Sequence, residues 1–469
     1  MYAFLCGGSA LVKAVLAGVV GYAVAVAVLL VAAPLYARVG LVSRIRRDRW
    51  GRRSVPLCGG VGLLCGLACG LLFAPTSKAV GVVVVAMALF LLGTIDDAKS
   101  GLRPSQKLGA SLLFVAPLIP TGIYVNICFP YLGVVLSLLW FAGMAHAMNL
   151  LDNMDGVASG VGAVSALGLC VAALGWGEVE VGVMSAALCG AALAVLLFNF
   201  PPARVFLGDA GALPLGATLA ALSVWATWRE ASGVLVSVLF SLLVLGIPLL
   251  DTLFVTTTRP LRGSRPFCGG RDHIAHRLAA LGLSPRLVLL LFAGASAVAT
   301  AGAVLARNNI LWLLFCFLVV VTAGGVLAAL LARYGQGGVR LRHIIKQKTA
   351  FLVAVFDVPL FGAAFLLAYL VRFGMTIPAV YHKTVAVALP VVVAAKIAAF
   401  LLGGAYEEAL SLRRFVRCCA LGTLVAIAAL TLAMRFADLS RLAFAADFAF
   451  CFLFCGAIRL LLRRFAYDD

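Results

Sequence analysis

Acidic side chains are scarce in this sequence: 18 Asp and Glu against 37 Lys and Arg, with charged residues making up 12% of its 469 positions. Soluble domains carry roughly twice that share of charge. The chain is 64% hydrophobic and its mean hydropathy is +1.12. A soluble globule could not hide so much apolar surface, so a water-soluble fold is excluded. No CxxC pair occurs among the 13 cysteines, and most of them lie inside apolar runs, where a thiol acts as a small buried hydrophobe. Neither a disulfide framework nor a cysteine zinc site is therefore inferred. The apolar–polar alternation of a membrane β-barrel is missing as well.

What the chain has instead is a series of apolar runs from Leu11 to Leu462, separated by short polar breaks. A helical crossing needs ~20 mostly apolar residues, so the reading is an all-α, polytopic membrane bundle with about eleven spans before Arg333 and about four after Thr349, roughly fifteen in all. The first run, Ala14 to Ala33, is too long for a signal-peptide core and has only Lys13 ahead of it, so it is expected to be retained.

The net charge of +19 could suggest a nucleic-acid partner, but its distribution excludes one. Positive charge gathers in breaks between spans: Arg38 to Arg53, Lys99 to Lys107, Arg259 to Arg286, Arg333 to Lys348, Arg413 to Arg417 and Arg459 to Arg464. With about two spans between most successive clusters, all fall on one membrane face, which the positive-inside bias makes the cytoplasm. The N-terminus is then expected outside and the C-terminus inside. The expected domains are a membrane domain over 1–332, a basic linker over 333–348, and an accessory four-helix membrane domain over 349–469.

The few acids mark the chemistry. Five fall in three of the breaks: Asp96 and Asp97 in GTIDDAKSG, Asp152 and Asp155 in HAMNLLDNMDG, and Asp209 in VFLGDAG. Each break lies where a span meets the cytoplasm, so packing can gather them at one depth. Neighbouring carboxylates stay ionised only when compensated, and magnesium, with manganese as the alternative, suits one or two carboxylates plus substrate phosphates. Asn149, Asp152 and Asp155 are spaced by three, which a helical turn places on one face. Helix capping is the competing use of such acids. In the third break, Asn199 precedes a double proline and Asp209 stands between small residues that let a phosphate or metal approach. The break after Asp251 carries Arg271, Asp272, His273, His276 and Arg277. No third zincin-like ligand follows the HxxH pair, so donors to a diphosphate fit better than zinc, and a basic patch against anionic lipid is the alternative.

Taken in order, DDAKSGLRPSQK, NLLDNMDG, FNFPPARVFLGDAG, PLLDTL and RDHIAHRL resemble the polyprenyl-phosphate N-acetylhexosamine-1-phosphate transferases (glycosyltransferase family 4) over about Ala32 to Arg333. The resemblance implies transfer of a sugar 1-phosphate from a UDP-N-acetylhexosamine to undecaprenyl phosphate, with release of UMP in the presence of magnesium. By matching position, it implies catalytic roles for Asp96, Asp97, Lys107, Asp209, His273 and His276. It implies substrate binding by Asn149, Asp152, Asp155, Asn199, Arg271, Gly59 and Gly60, and metal binding by Asp209 with Asp97. Pro56, Gly59 and Gly60 stand for the nucleotide-recognising region.

The sequence departs from the family pattern at His146, where many members have Asn, at Ala212 in place of Ser, at Ala275 in place of a further His, and at Leu57 in place of a basic residue. NLLDNMDG with DHIAHRL looks more like the branch that uses UDP-N-acetylglucosamine for envelope polymers than the muramyl-pentapeptide branch. The tail, with Asp357, Arg372 and the Tyr406 to Arg417 link, resembles the membrane anchor of polysaccharide-biosynthesis nucleotide-sugar epimerases and dehydratases. Homodimerisation or docking to envelope-polysaccharide enzymes is compatible with such a tail. A transporter or a non-enzymatic assembly scaffold are the rival readings; a transporter would hold its acids at mid-bilayer within spans, not in breaks on one face. The sequence leaves single displacement and a covalent aspartyl-phosphate route both open.

Overall fold

A computed structural model describes residues 2–43, 54–99, 102–127, 129–230, 234–261, 263, 270, 272–332, 357–374, 377–406, 411–434 and 440–467. The described residues are helical, apart from turns and a single β-bridge between Val42 and Pro56. Nine described helices are long and apolar enough to cross a membrane, and ten if one bent pair counts as one span. Three further apolar stretches, Gly59–Leu72, Ile310–Thr322 and Leu442–Ala457, are shorter. The expectation of about fifteen spans counts the whole chain, whereas these nine or ten spans and three shorter stretches are those found among the described residues.

Two compact units are present, Met1–Ile310 and Leu311–Asp469. The first holds α1 (Tyr2–Arg38), α2 (Gly59–Ala68), α3 (Ser77–Lys99), α4 (Pro104–Val115), α5 (Pro130–Leu151), α6 (Val157–Trp176), α7 (Val179–Asn199), α8 (Gly208–Glu230), α9 (Val234–Val244), α10 (Gly246–Leu261), α11 (Ile274–Ala280) and α12 (Pro285–Ala306). The division lies at the head of α13 (Ile310–Ala332), one helix before the boundary expected at 333. The ARNN break just ahead of it is tied to the first unit, since Trp176 Nε1–H donates to Asn308 Oδ1 (3.1 Å). The basic stretch 333–348 lies outside the described residues.

Local sequence explains the helix ends. Pro104, Pro130 and Pro285 open their helices at positions that need no N–H, and Ser284 caps α12 by accepting from Leu287 N. Small residues set the packing, as expected where lipid offers no hydrophobic gain for helix association. A side chain at Gly21 would fall 2.9 Å from the Ala187 carbonyl oxygen, and one at Gly18 would fall 3.3 Å from that of Ala186, so α1 and α7 meet almost backbone to backbone. At the centre is α8, which is buried at every position from Ala210 to Thr227. It packs on α2, α3, α5, α6 and α9. Its N-terminus, the positive end of its dipole, carries Asp209.

The second unit comprises nearly all of α13, a helix over 357–372 (α14), α15 (Ala379–Leu402), α16 (Leu412–Met434) and α17 (Arg441–Tyr467). Two ion pairs bind α17 to its neighbours. Lys396 Nζ lies 2.6 Å from Asp447 Oδ1, with both side chains 0% exposed. Arg459 reaches Asp357 with two bonds, 2.8 and 2.6 Å, and lies over the rings of Phe400, Tyr406 and Phe415. Charges at such positions survive only when paired, and here each has its counter-ion.

Candidate active site

The aspartates of all three breaks meet at one end of the first unit. Asp96 sits in the last turn of α3, Lys107 on the second turn of α4, Asn149 near the end of α5 and Asp209 at the start of α8. Lys107 Nζ is 2.8 Å from Asp96 Oδ2, donates to Asn149 Oδ1 at 3.3 Å, and also bonds Asp209 Oδ2. Asn149 Nδ2 donates to Asp209 Oδ1 (2.7 Å), and Asp96 also accepts from Leu102 N. These side chains are mostly enclosed: Lys107, Asp96 and Asp209 are 11%, 10% and 19% exposed. Burial works to discharge Lys107, but the Asp209 and Asp96 carboxylates outweigh it and hold its pKa above the usual lysine value.

A second set of acids holds the segment that delivers Asp209. Ala203 N donates to Asp155 Oδ2 (3.0 Å), Gly208 N to Asp152 Oδ2 (3.1 Å), and Ala210 N to Asp97 Oδ2 (3.1 Å). Asn199, 1% exposed, accepts from Gly156 N (2.7 Å) and donates to the Val205 carbonyl (2.8 Å). Burial pushes the Asp155 carboxyl up from its ordinary range, and the Ala203 N–H partly offsets this. Two glycines make these turns. Gly156 has φ +77°, and Gly208 has φ +66°, where a side chain would also fall 2.8 Å from Asp97 Oδ2. Gly59 and Gly60, expected to recognise nucleotide, are buried contact points: a side chain would strike the backbone of 206–207 and 210–211. They let α2 close on the start of α8. A small cleft beside Asp97 is lined by Tyr36, Leu41, Leu57, Thr94, Asp97 and Ala210, so the atypical Leu57 borders the site.

The histidine motif is organised by two acids. Asp251 on α10, 1% exposed, lies 2.8 Å from His273 Nδ1 and accepts from Ile274 N at 2.9 Å, capping α11. Arg259 grips Asp272 through two bonds of 2.8 Å, and Arg277 Nε donates to the Asp272 carbonyl (2.9 Å). Although burial opposes it, Arg259 holds the Asp272 carboxyl below the usual range. The His273 and His276 rings are 6.1 Å apart, edge to face. Arg271 lies outside the described residues.

Residues 79–227 match the profile of glycosyl transferase family 4. A phospho-N-acetylmuramoyl-pentapeptide-transferase of Desulforudis audaxviator is 32% identical over 303 residues, 55% of this chain and 87% of that protein. The chain belongs to glycosyl transferase family 4. Other relatives of this family 4 transferase include a probable undecaprenyl-phosphate N-acetylglucosaminyl 1-phosphate transferase of Bacillus subtilis, 27% identical over 63% of this chain and 86% of the relative. A decaprenyl-phosphate N-acetylglucosaminephosphotransferase of Mycolicibacterium smegmatis is 28% identical over 54% and 72%.

Within this family 4 transferase, the structure separates residues that the sequence lists together. Asp96, Lys107, Asn149 and Asp209 form one polar cluster, while Asp97, Asp152, Asp155 and Asn199 bond the backbone around it. Asp97, expected as a metal ligand beside Asp209, engages the amides at the head of α8. Hard oxygens from Asp96, Asp209 and Asn149 already surround one cation, the Lys107 ammonium, and such a donor set suits magnesium held by one or two carboxylates with substrate phosphates. Among the described residues, no group of three or more His, Cys, Asp or Glu forms a cage for a metal on its own. Sequence reasoning gave no role to Asp251 or His146. Asp251 could have been found as a carboxylate inside an apolar run, which needs a partner. His146 stands near Lys107 and Asp209, with a buried Nε2 that has no hydrogen-bond partner among the described residues.

Proposed function

We propose that this protein transfers N-acetylglucosamine 1-phosphate from UDP-N-acetylglucosamine to undecaprenyl phosphate, releasing UMP, at the cytoplasmic face of a bacterial inner membrane. The observation that carries the reading is the Asp96–Lys107–Asn149–Asp209 cluster, drawn from four helices to the level where they end. A water-soluble nucleotide and a membrane-bound lipid phosphate can both reach such a place. The names of the relatives support the reaction class, and the basic breaks support the cytoplasmic side.

In the reaction, an oxygen of the lipid phosphate attacks the sugar-bearing phosphorus, and the bond from that phosphorus to the oxygen of the UMP phosphate breaks. A phosphate's second pKa is roughly 6, so the acceptor needs little help in losing a proton, and the protein's work is positioning and charge neutralisation. Asp209, with Asp96 beside it, would hold magnesium, which when bound offsets the charge of the diphosphate. Lys107 neutralises its two carboxylates and turns to phosphoryl oxygens when substrate enters. His273 and His276 donate to the leaving phosphate. Asn149 keeps Asp209 in register. Asp152, Asp155, Asn199, Gly59 and Gly60 shape the loops against which the nucleotide rests.

The test is UMP release by the protein purified into nanodiscs, supplied with undecaprenyl phosphate, magnesium and UDP-N-acetylglucosamine. The expected result is release that stops with EDTA and needs the lipid. Release only from the muramyl-pentapeptide nucleotide would transfer the donor to the other branch, and release from neither would reject the reading.

A further inference from the structure

We propose that Asp251 is the positioning residue of His273: it fixes which ring nitrogen carries the proton and which one faces substrate. The inference rests on the phosphotransfer reading of the site and adds a residue to it. Asp251 stands on α10, the second half of a helix pair bent by 76°. Its carboxylate is used twice. One oxygen is 2.8 Å from His273 Nδ1, and the other accepts from Ile274 N at 2.9 Å. Both side chains are almost closed to solvent, at 1% and 6% exposure.

An ionised carboxylate is an acceptor only. The proton between the two groups therefore belongs to His273 Nδ1, which leaves Nε2 as the nitrogen the ring can offer. The second bond, to Ile274 N, stops the carboxylate from rotating, because His273 is the residue immediately before α11 and Ile274 its first. Ring orientation and helix start are set by the same group. Donation from Nε2 to a phosphoryl oxygen needs the imidazolium, with its second proton drawn from water, and the Asp251 charge balances that cation. An apolar residue at 251 would leave Ile274 N and Nδ1 buried without acceptors.

Two substitutions separate positioning from packing. Asp251→Asn keeps the size and one oxygen for Ile274 N, but its amide can donate to Nδ1 and drive the ring proton to Nε2. His273→Asn keeps an amide near the place of Nδ1, and so the bond to Asp251, while deleting Nε2. Asp251→Asn is expected to lower kcat about 10- to 100-fold with KM changed less than about 3-fold, the usual cost of losing an orienting partner. In the His273→Asn background, the same change at 251 is expected to cost less than about 2-fold, since its effect passes through the ring. Independently of activity, 15N spectra of histidine-labelled protein should show His273 protonated at Nδ1 in the wild type and altered in Asp251→Asn; with five histidines, the signal is identified by its loss in His273→Asn. Additive losses in the double variant, an unchanged kcat in Asp251→Asn, or a wild-type His273 bare at Nδ1 would each overturn the proposal. A wild-type protein with the expected spectrum but no UMP release would reject the phosphotransfer reading and leave the Asp251–His273 assignment standing.

Discussion

Replacing Lys107 by Met removes the cation that pairs with both Asp96 and Asp209, and the structure sets the size of the effect. An exposed ion pair is worth ~0–1 kcal/mol, whereas stripping one partner from a buried pair costs ~3–5 kcal/mol. The three side chains are 11%, 10% and 19% exposed, closer to the buried case, so a loss of about 3 kcal/mol is expected, roughly a hundredfold in the folding equilibrium. At about 2 °C per kcal/mol for a unit of this size, the melting temperature should drop about 6 °C. If the oxygens of Asp96 and Asp209 form the metal site, magnesium should replace the missing charge. At a hundredfold excess over its Kd it would restore ~2.7 kcal/mol, or about 5 °C, while the wild type, already compensated by Lys107, should gain less. The assay is thermal unfolding in detergent with EDTA and with increasing magnesium, using calcium and spermidine as controls. Equal magnesium shifts in wild type and Lys107→Met, or no destabilisation without the metal, would refute the reasoning. Because Lys107 is held above its ordinary pKa, the link contributes fully below about 10.4 and is lost only as pH climbs past the raised value. The difference between the two proteins should therefore persist across neutral pH.

The pair Arg259–Asp272 works with the opposite sign. Its carboxyl is depressed, so its stabilisation is present above the ordinary carboxylate range and fades as pH falls through the lowered value; Asp272→Asn should melt earlier than wild type at neutral pH, with the gap closing below about pH 4. Melting curves taken between neutral and acid pH test this. A chain ending at Ile310, where the first compact unit ends, should insert in membranes and keep at least about a third of wild-type UMP release, because every proposed catalytic residue precedes that point. Normal insertion with no turnover would make the second unit part of the active unit.

Much of this site was legible in the sequence because acids are rare and a membrane makes them expensive. Asp96, Asp97, Asp152, Asp155 and Asp209 stand out against long apolar runs, and the meeting of Asp96 with Asp209 follows from placing the ends of α3 and the start of α8 at one depth. Pattern reasoning could not find the Lys396–Asp447 pair, since each member looks like an isolated misfit until α15 and α17 are packed together. The bend between α9 and α10 escaped for a related reason: the apolar run continues through it, and nothing in Val244, Leu245 or Gly246 alone demands a 76° turn. At Gly59 and Gly60 the sequence pattern leaves two uses open, because a glycine pair beside a helix start serves close backbone packing as readily as phosphate binding.

The five aspartates pose a harder problem, since capping a helix and holding a cation call for the same side chain at the same place. The structure divides them by partner. Asp96 and Asp209 face the Lys107 ammonium, and Asp152, Asp155 and Asp97 face backbone N–H groups. Asparagine distinguishes the two uses, because it caps nearly as well as aspartate but carries no charge. Asp209→Asn should therefore abolish turnover, and Asp96→Asn should lower it by about a hundredfold or more, since each loses a charge that the site uses. Asp152→Asn and Asp155→Asn keep an oxygen for Gly208 N and Ala203 N and should retain activity within about 10-fold, whereas the alanine variants should each lose ~1–2 kcal/mol of stability. Asp97 stands between, because each of its oxygens takes a backbone amide, from Asp209 at 3.4 Å and from Ala210 at 3.1 Å, and an amide side chain can serve only one. Its Asn variant should keep the fold but misplace Asp209, with a loss intermediate between the two groups. The readout is UMP release beside the melting temperature of each variant. If Asp155→Asn proves as inactive as Asp209→Asn while melting like the wild type, the charge at 155 acts on substrate, and the division by partner is wrong.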